Sequence, residues 1–490
     1  MNYPARINIM RANQLPALLI LLLLKLVTLA EAADVVSIWG GARGTIILKS
    51  DGTVWTWGIN FGGKLGVGLD SATLVRTNVP IEVHGPGNSS FLNSITNIMG
   101  GEVHNVAVKS DGTVWAWGQN AFGQLGDGTT NDESAPVPVG LGCVPPLGSV
   151  TKLGGRTYWN LAVKSDGTVW AWGMNQGGQL GNGATISTLD PNQNTVPVQV
   201  TNSQTGGVIH NPIQVSCGYT YGVALATNGT VWTWGTGSHG ELGNGTTGFS
   251  YSPVQVVGLT NITGISSGWK HTLARRADGT VWGWGQNTHG ELGDGTALNR
   301  SSPVQALNLT NIISVSGGDY HSSALSADGY VWKWGQNDVG ELGNGTTNAI
   351  ANANPVPARI LVDKSGAGFS NIVMTAARDY HNLAVKADGS VWMWGANDQG
   401  QCGDGATNDD WRPTPVAGLN ARVGRVLKLL PGGGNPTLNW DTVAGEYFSI
   451  EYTTNLAAGF TQLIKTNLLA TPPANSVTVS NGPGYYRLKF

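Results

Sequence analysis

A phrase of the form DGTVWxWG recurs seven times in this 490-residue chain, beginning at Asp51, Asp111, Asp166, Asn228, Asp278, Asp328 and Asp388. Successive copies lie 60, 55, 62, 50, 50 and 60 residues apart. A period of that size belongs to solenoids, arrays and propellers, so it restricts the fold more than any local motif does. Each copy carries a Trp-x-Trp pair, from Trp55/Trp57 to Trp392/Trp394, and these pairs account for 14 of the 19 tryptophans. So much aromatic surface requires a packed core in spite of the 72 glycines.

Each unit parses into four short strands. In the second copy, residues 95–99 lead through GGEVH to 105–110, Asp111-Gly112 turns the chain into TVWAWG, and 135–139 follow the QLGDG loop. An Asp-Gly pair between alternating segments predicts a two-residue hairpin with both turn residues at positive φ. Alternation puts Val114 and Ala116 on one face and Trp115 and Trp117 on the other, as expected of a sheet covered on both sides. Open solenoids need atypical caps, whereas the first copy is complete from Val35 and the last runs through 413–416. No stretch after residue 33 has helical periodicity with a cap. The expectation is an all-β, seven-bladed β-propeller of four-stranded antiparallel blades over 33–430, closed where the segments near Val35 and Val416 meet.

The two ends of the chain stand apart. Arg6 and Arg11 precede the leucine-rich run 15–24, and Ala30-Glu31-Ala32 supplies a small-residue cleavage site, so residues 1–32 read as a signal peptide. Lys25 interrupts the run short of the roughly 20 residues a span requires, which leaves no membrane span in the mature chain. Removing 1–32 takes the net charge from −3 to −5. Nucleic acid binding asks for a basic face and is not expected here. The expected location is secreted, periplasmic or in the cell envelope. PGGGNP (431–436) reads as a linker, and 431–490 alternate in short strand-like segments expected to form a small β-sandwich-like module.

The GGxxH-type stretches, the DGxVWxWG phrases and the GQLGDG or GELGNG loops resemble the repeats of the regulator of chromosome condensation family. They cover about residues 35–419, and the resemblance implies a seven-bladed propeller. The C-terminal segment resembles the small fibronectin-type-III-like modules of some exported bacterial proteins.

Two textual motifs carry no chemistry. Gly235–Gly240 spells GxGxxG and Gly264–Gly268 spells GxSxG, yet neither is followed by the helix that a phosphate site or a nucleophile elbow needs. Seven residues before each turn Asp or Asn stand Gly44, His104, Trp159, Tyr221, His271, His321 and His381. Trp and Tyr replace His there, so the position calls for a ring packed on glycine-rich backbone rather than a metal ligand. Asp127, Asp294 and Asp404 alternate with Asn182, Asn244 and Asn344 in the GQLGDG loops, which suits tight turns. Cys143, Cys217 and Cys402 form neither a disulfide framework nor a zinc motif, and Cys402 replaces a leucine of the repeat in a small apolar slot. Catalytic, cofactor and metal residues are therefore all expected to be absent.

Function is then expected in what differs between copies. In an up-and-down blade the GGxxH and GQLGDG connections share one face, and the Asp-Gly hairpins and inter-unit linkers share the other. Just before the ring position the first face presents Arg43, Glu102-Val103, Thr157-Tyr158, Tyr219-Thr220, Trp269-Lys270, Asp319-Tyr320 and Arg378-Asp379-Tyr380. Tyr, Trp and Arg are enriched at protein-binding hot spots. Glu102, Tyr158, Tyr219, Trp269, Lys270, Asp319, Tyr320, Asp379 and Tyr380 are the candidate contacts of a partner protein. The leading expectation is an exported, monomeric, non-catalytic interaction scaffold, comparable in kind to the secreted β-lactamase inhibitory propeller of similar repeats. The family resemblance implies guanine nucleotide exchange on a small GTPase as the alternative, and a polysaccharide-acting enzyme is a third reading.

Overall fold

The computed structural model describes residues 35–419 apart from 42, 89, 141–146, 184–193, 202–208, 210 and 350–351, and beyond Leu419 only six strands between Lys428 and Lys489. The signal peptide, Cys143, most of the 201–211 insertion and most of the 431–490 module lie outside the described residues. The C-terminal strands pair as two three-stranded antiparallel sheets.

Seven four-stranded antiparallel sheets follow one another along the chain. Blade 1 consists of β1 (Val35–Gly41), β2 (Gly44–Lys49), β3 (Val54–Ile59) and β4 (Arg76–Glu82). The inner strands of blades 2 to 7 are Ile95–Gly100, Val150–Arg156, Pro212–Cys217, Ile262–Ser267, Ile312–Gly317 and Ile372–Arg378. Neighbouring inner strands touch in an unbroken cycle, from β1 through each blade and back from Ile372–Arg378 to β1, which makes them the wall of a central channel. The seven-bladed propeller expected from the repeat is therefore the fold.

The hairpin geometry differs from the sequence expectation in one respect. Gly52 lies at φ 81° and Gly112 at φ 82°, whereas the preceding aspartates keep negative φ. Gly52 N donates to Lys49 O at 3.0 Å, and Lys49 N to Thr53 O at 3.0 Å. Ser50 and Asp51 thus form a type I turn, with glycine in the left-handed position after it. The Asp51 carboxylate is free to accept from Thr53 N at 3.0 Å and from Thr53 Oγ1 at 2.7 Å.

The core is a series of seams between blades. The second tryptophan of every pair is fully buried. Trp117 packs on Ile46, Leu48 and Val54 of blade 1, while Val114 and Ala116 pack towards Trp170, Trp172 and Leu153 of blade 3. Large ring on one side and small residue on the other is the arrangement the alternation implied. Each such indole donates from Nε1 to a carbonyl in the loop of the preceding blade, at 2.7–3.0 Å in all seven cases. Here the structure corrects the sequence reading. The GQLGDG loops start on the face of the GGxxH turns, but their QLG or ELG stretch drops into the seam, burying Leu125, Leu180, Leu242 and Leu292.

Closure repeats the same contacts without a shared strand. Val35, Ile38 and Trp57 of blade 1 join Leu383, Met393, Cys402, Val416 and Leu419 in one buried cluster. Trp57 Nε1 donates to Gln401 O at 2.8 Å, and Gly405 N to Asn78 O at 3.0 Å. The ends meet as expected, through side-chain packing and loop hydrogen bonds between two complete blades. Cys402 fills the leucine slot and is wholly buried.

Candidate partner-binding mouth

The ring positions sit at the top of the seams. His104, Trp159, Tyr221, His271, His321 and His381 are all at most 1% exposed. The His271 ring lies against Gly268, where any added Cβ would fall 2.1 Å from Cε1, and His321 lies on Gly318 in the same way. Five of the six rings bond to the next blade, whereas His381 Nε2 is buried without a hydrogen-bond partner among the described residues. His104 Nε2 bonds Asn160 Oδ1 at 2.7 Å, His321 Nε2 bonds Asn382 Oδ1 at 2.9 Å, and Trp159 Nε1 donates to Gly218 O at 3.0 Å. Burial pushes His104 down to about 4 and His271 down to about 3, which keeps these imidazoles neutral and structural.

Above these rings the turns form the mouth of the channel. Tyr219 stacks on Trp269 with centroids 4.3 Å apart and planes 12° apart. Trp269 continues to Tyr320 at 6.4 Å, and Tyr320 to Tyr380 at 6.4 Å. His289, from a seam loop, meets Tyr320 edge-on at 5.2 Å. Four of the candidate residues, each from a different blade, thus form one continuous arc over blades 4 to 7. Tyr158 packs with Phe122 at 5.0 Å, and both join Tyr219 against the seam of blades 3 and 4. Tyr380 is the most open ring of the arc, at 38% exposure. Backbone bonds lock the turns to one another: Tyr219 N donates to Trp269 O at 2.9 Å, Trp269 N to Gly318 O at 3.3 Å, and Asp319 N to Asp379 O at 3.1 Å.

The charged candidates divide. Glu102, Lys270 and Asp379 remain part-exposed beside the arc. Asp319 does not: it is 4% exposed and forms an ion pair with Arg156, so it belongs to the floor of the mouth rather than its contact surface. Arg156 reaches across from blade 3, donating also to Ser267 O of blade 5 at 3.0 Å. Arg378 of blade 7 donates to Gly155 O of blade 3 at 3.0 Å and lies 4.8 Å over the Trp39 ring. Two guanidinium groups therefore brace non-adjacent blades across the channel. Sequence reasoning missed this plug, although a signal was present. Three residues before the ring position, the other five blades carry Gly41, Gly101, Gly218, Gly268 and Gly318, while blades 3 and 7 carry Arg156 and Arg378.

The floor is electrostatically strained. Burial, then the nearby Asp379 carboxylate, raises Glu102 to about 7. Burial and Asp379 likewise push Asp319 upward against the pull of Arg156. Arg378 is lowered to about 9 by burial and by Arg156. Burial also raises the Tyr320 and Tyr380 phenols, helped by Asp319, so both rings stay neutral donors at physiological pH. The mouth offers flat amphipathic rings and a carboxyl that holds its proton close to neutrality. Among the described residues no group of three or more His, Cys, Asp or Glu side chains is placed to hold a metal ion.

A profile described as an RCC1-like domain matches residues 189–438, half of the chain. The chain belongs to the RCC1-like domain family. Repeats described as regulator of chromosome condensation (RCC1) repeats match 51–108, 95–124 and 111–150 of this RCC1-like chain. The 51–108 repeat begins at a hairpin aspartate and ends in the second strand of the next blade, so the sequence repeat straddles two blades. The ultraviolet-B receptor UVR8 of Arabidopsis thaliana is 32% identical over 47% of this chain and 48% of its own length. The mitochondrial RCC1 domain-containing protein RUG3 of the same plant is 31% identical over 44% of this chain and 45% of its own. The chain thus spans about half of these relatives. Among solved structures, human WBSCR16 superposes with a TM-score of 0.65 at 21% identity, covering 75% of this chain and 94% of that one. Prp20p of Saccharomyces cerevisiae, described by its binding to Gsp1p and histones, gives 0.61 at 24%, covering 76% and 87%. Among the described residues no helix is long and apolar enough to cross a membrane.

Proposed function

We propose that this RCC1-like propeller is an exported, monomeric, non-catalytic scaffold that binds a partner protein through the channel mouth. The observation that carries the reading is the arc Tyr219–Trp269–Tyr320–Tyr380, four rings from four blades fixed by backbone bonds between their turns. Large planar rings bury area at little side-chain entropy cost, and a braced floor leaves little to order on docking. Prp20p, on the same fold, is described as binding proteins. Export is supported by Arg6, Arg11, the leucine run and Ala30-Glu31-Ala32, with Ala33 the mature N-terminus. In this reading residues 431–490 are a small fibronectin-type-III-like module carried beside the propeller.

A photo-crosslinking amino acid at Tyr380, with a control at Asn228 on an opposite-face hairpin, tests the proposal in producing cells. A discrete protein adduct from Tyr380 and none from Asn228 is expected, on a chain whose intact mass starts at Ala33. Adducts from Asn228 alone, or from neither site, would contradict the mouth as the binding face.

A further inference from the structure

Charge is unevenly distributed around the mouth. Two residues before the ring position the seven blades carry Ala42, Glu102, Thr157, Tyr219, Trp269, Asp319 and Asp379. Rings hold that place in blades 4 and 5, and carboxylates hold it in blades 6, 7 and 2. The seam loops of blades 6 and 7 add Asp338 and Asp398. Tyr380 stands where the rings give way to the acids. Its phenol is raised by burial and then by Asp319, Tyr320, Asp379 and Asp338.

The cations of this sector are engaged elsewhere. Lys64 is buried and donates to Glu102 O, a backbone carbonyl, at 2.8 Å. Arg156 is paired with Asp319, and Arg378 reaches Gly155 O and the Trp39 ring. Arg43 is exposed and leans on Asp398 at 3.9 Å. Lys270 belongs to blade 5, in the aromatic half of the mouth. Among the described residues no lysine or arginine forms a direct ion pair with Glu102, Asp338 or Asp379, all three part-exposed. Burial and Asp379 keep the Glu102 carboxyl up at about 7 in spite of Lys64 and Arg156, which marks a sector short of positive charge.

We propose that the partner protein enters the mouth with a lysine or arginine side chain, its head drawn to the Glu102 and Asp379 carboxylates and its stem along the Tyr320 and Tyr380 rings. This names the chemistry of the partner and rests on the mouth being the binding face. A ring face attracts a cation, neighbouring carboxylates balance its charge, and the long apolar stem covers aromatic carbon. An acidic partner would meet Glu102, Asp338 and Asp379 with like charge. An apolar one would bury them unpaired, and both cost free energy.

The photo-crosslinker at Tyr380 tests this in producing cells when the double variant Glu102→Gln/Asp379→Asn carries the same label. Adduct yield should fall at least about tenfold in a double variant that melts no lower than the parent. The partner peptide joined at Tyr380 should contain a lysine or arginine. Equal yields from the two chains, or a joined peptide without a basic residue, would overturn the inference and leave the mouth standing as the binding face. No adduct from the parent would overturn both. Should the double variant fail to fold, replacing that basic residue of the partner by Gln decides. Adduct reduced to about one-tenth supports the inference, and undiminished adduct overturns it.

Discussion

His271 and Glu102 titrate in opposite senses, and each sense follows from what surrounds the group. His271 is lowered from 6.5 to about 3 by burial, so its contribution to stability is complete above 6.5 and is lost as the pH falls through the acid range. Replacing His271 by Ala removes the bond to Ser322 Oγ at 3.0 Å and should cost about 1–3 kcal/mol at pH 7. Urea unfolding at pH 7 and pH 4.5 should also show a shallower acid loss in the variant than in the parent. Glu102 is raised from 4.5 to about 7, so it favours the folded state below 4.5 and that advantage disappears as the pH rises towards 7. Between those limits the parent should lose up to about 3 kcal/mol relative to Glu102→Gln. A constant difference across that range would mean the carboxyl is solvated. The ring position was legible because its residue type alternates among His, Trp and Tyr. The Arg156–Asp319 pair was not, because its partners stand 163 residues apart and only the closed ring brings them together.

At the scale of an element, the two tryptophans of one strand have different work. Trp284 is wholly buried and donates to Glu241 O at 2.9 Å, across the seam. Trp282 is half-buried against the core cluster that holds Trp284, and its Nε1 donates to the Thr280 hydroxyl of its own hairpin at 3.2 Å. Trp284→Ala should therefore cost about 3–5 kcal/mol and Trp282→Ala clearly less, as read by calorimetry on the two variants. Alternation along TVWGWG announced the two-sided sheet, but the alternation cannot say which ring is sealed in a seam. The loops show the same limit. ELGDG has the composition of any surface turn, and its descent between blades follows from the Trp284 and Trp334 indoles, each of which needs an acceptor from the preceding blade. The hairpin was anticipated in place but not in type, since an Asp-Gly pair serves both a two-residue turn and a type I turn followed by a left-handed glycine.

The molecule as a whole is a ring held by seven equivalent seams, and the last of them joins the two ends of the repeat region. Because Val35 and Ile38 share one cluster with Leu383, Val416 and Leu419, deleting 35–39 should lower the melting temperature of the entire propeller in one cooperative transition. Retention of the parental transition would show that closure does not depend on β1. Seven-fold repetition made this architecture readable from spacing alone, whereas the mouth is built from the positions that escape the repeat. The central claim is that those positions bind a protein, and the affinity of the purified chain for its crosslinked partner tests it most directly. Calorimetric titration should show Trp269→Ala and Tyr320→Ala each weakening binding by about 2 kcal/mol, roughly 30-fold in Kd, while Asp278→Ala on the opposite face leaves it unchanged. Parental affinity in both mouth variants, with loss in the Asp278 variant, would contradict the account.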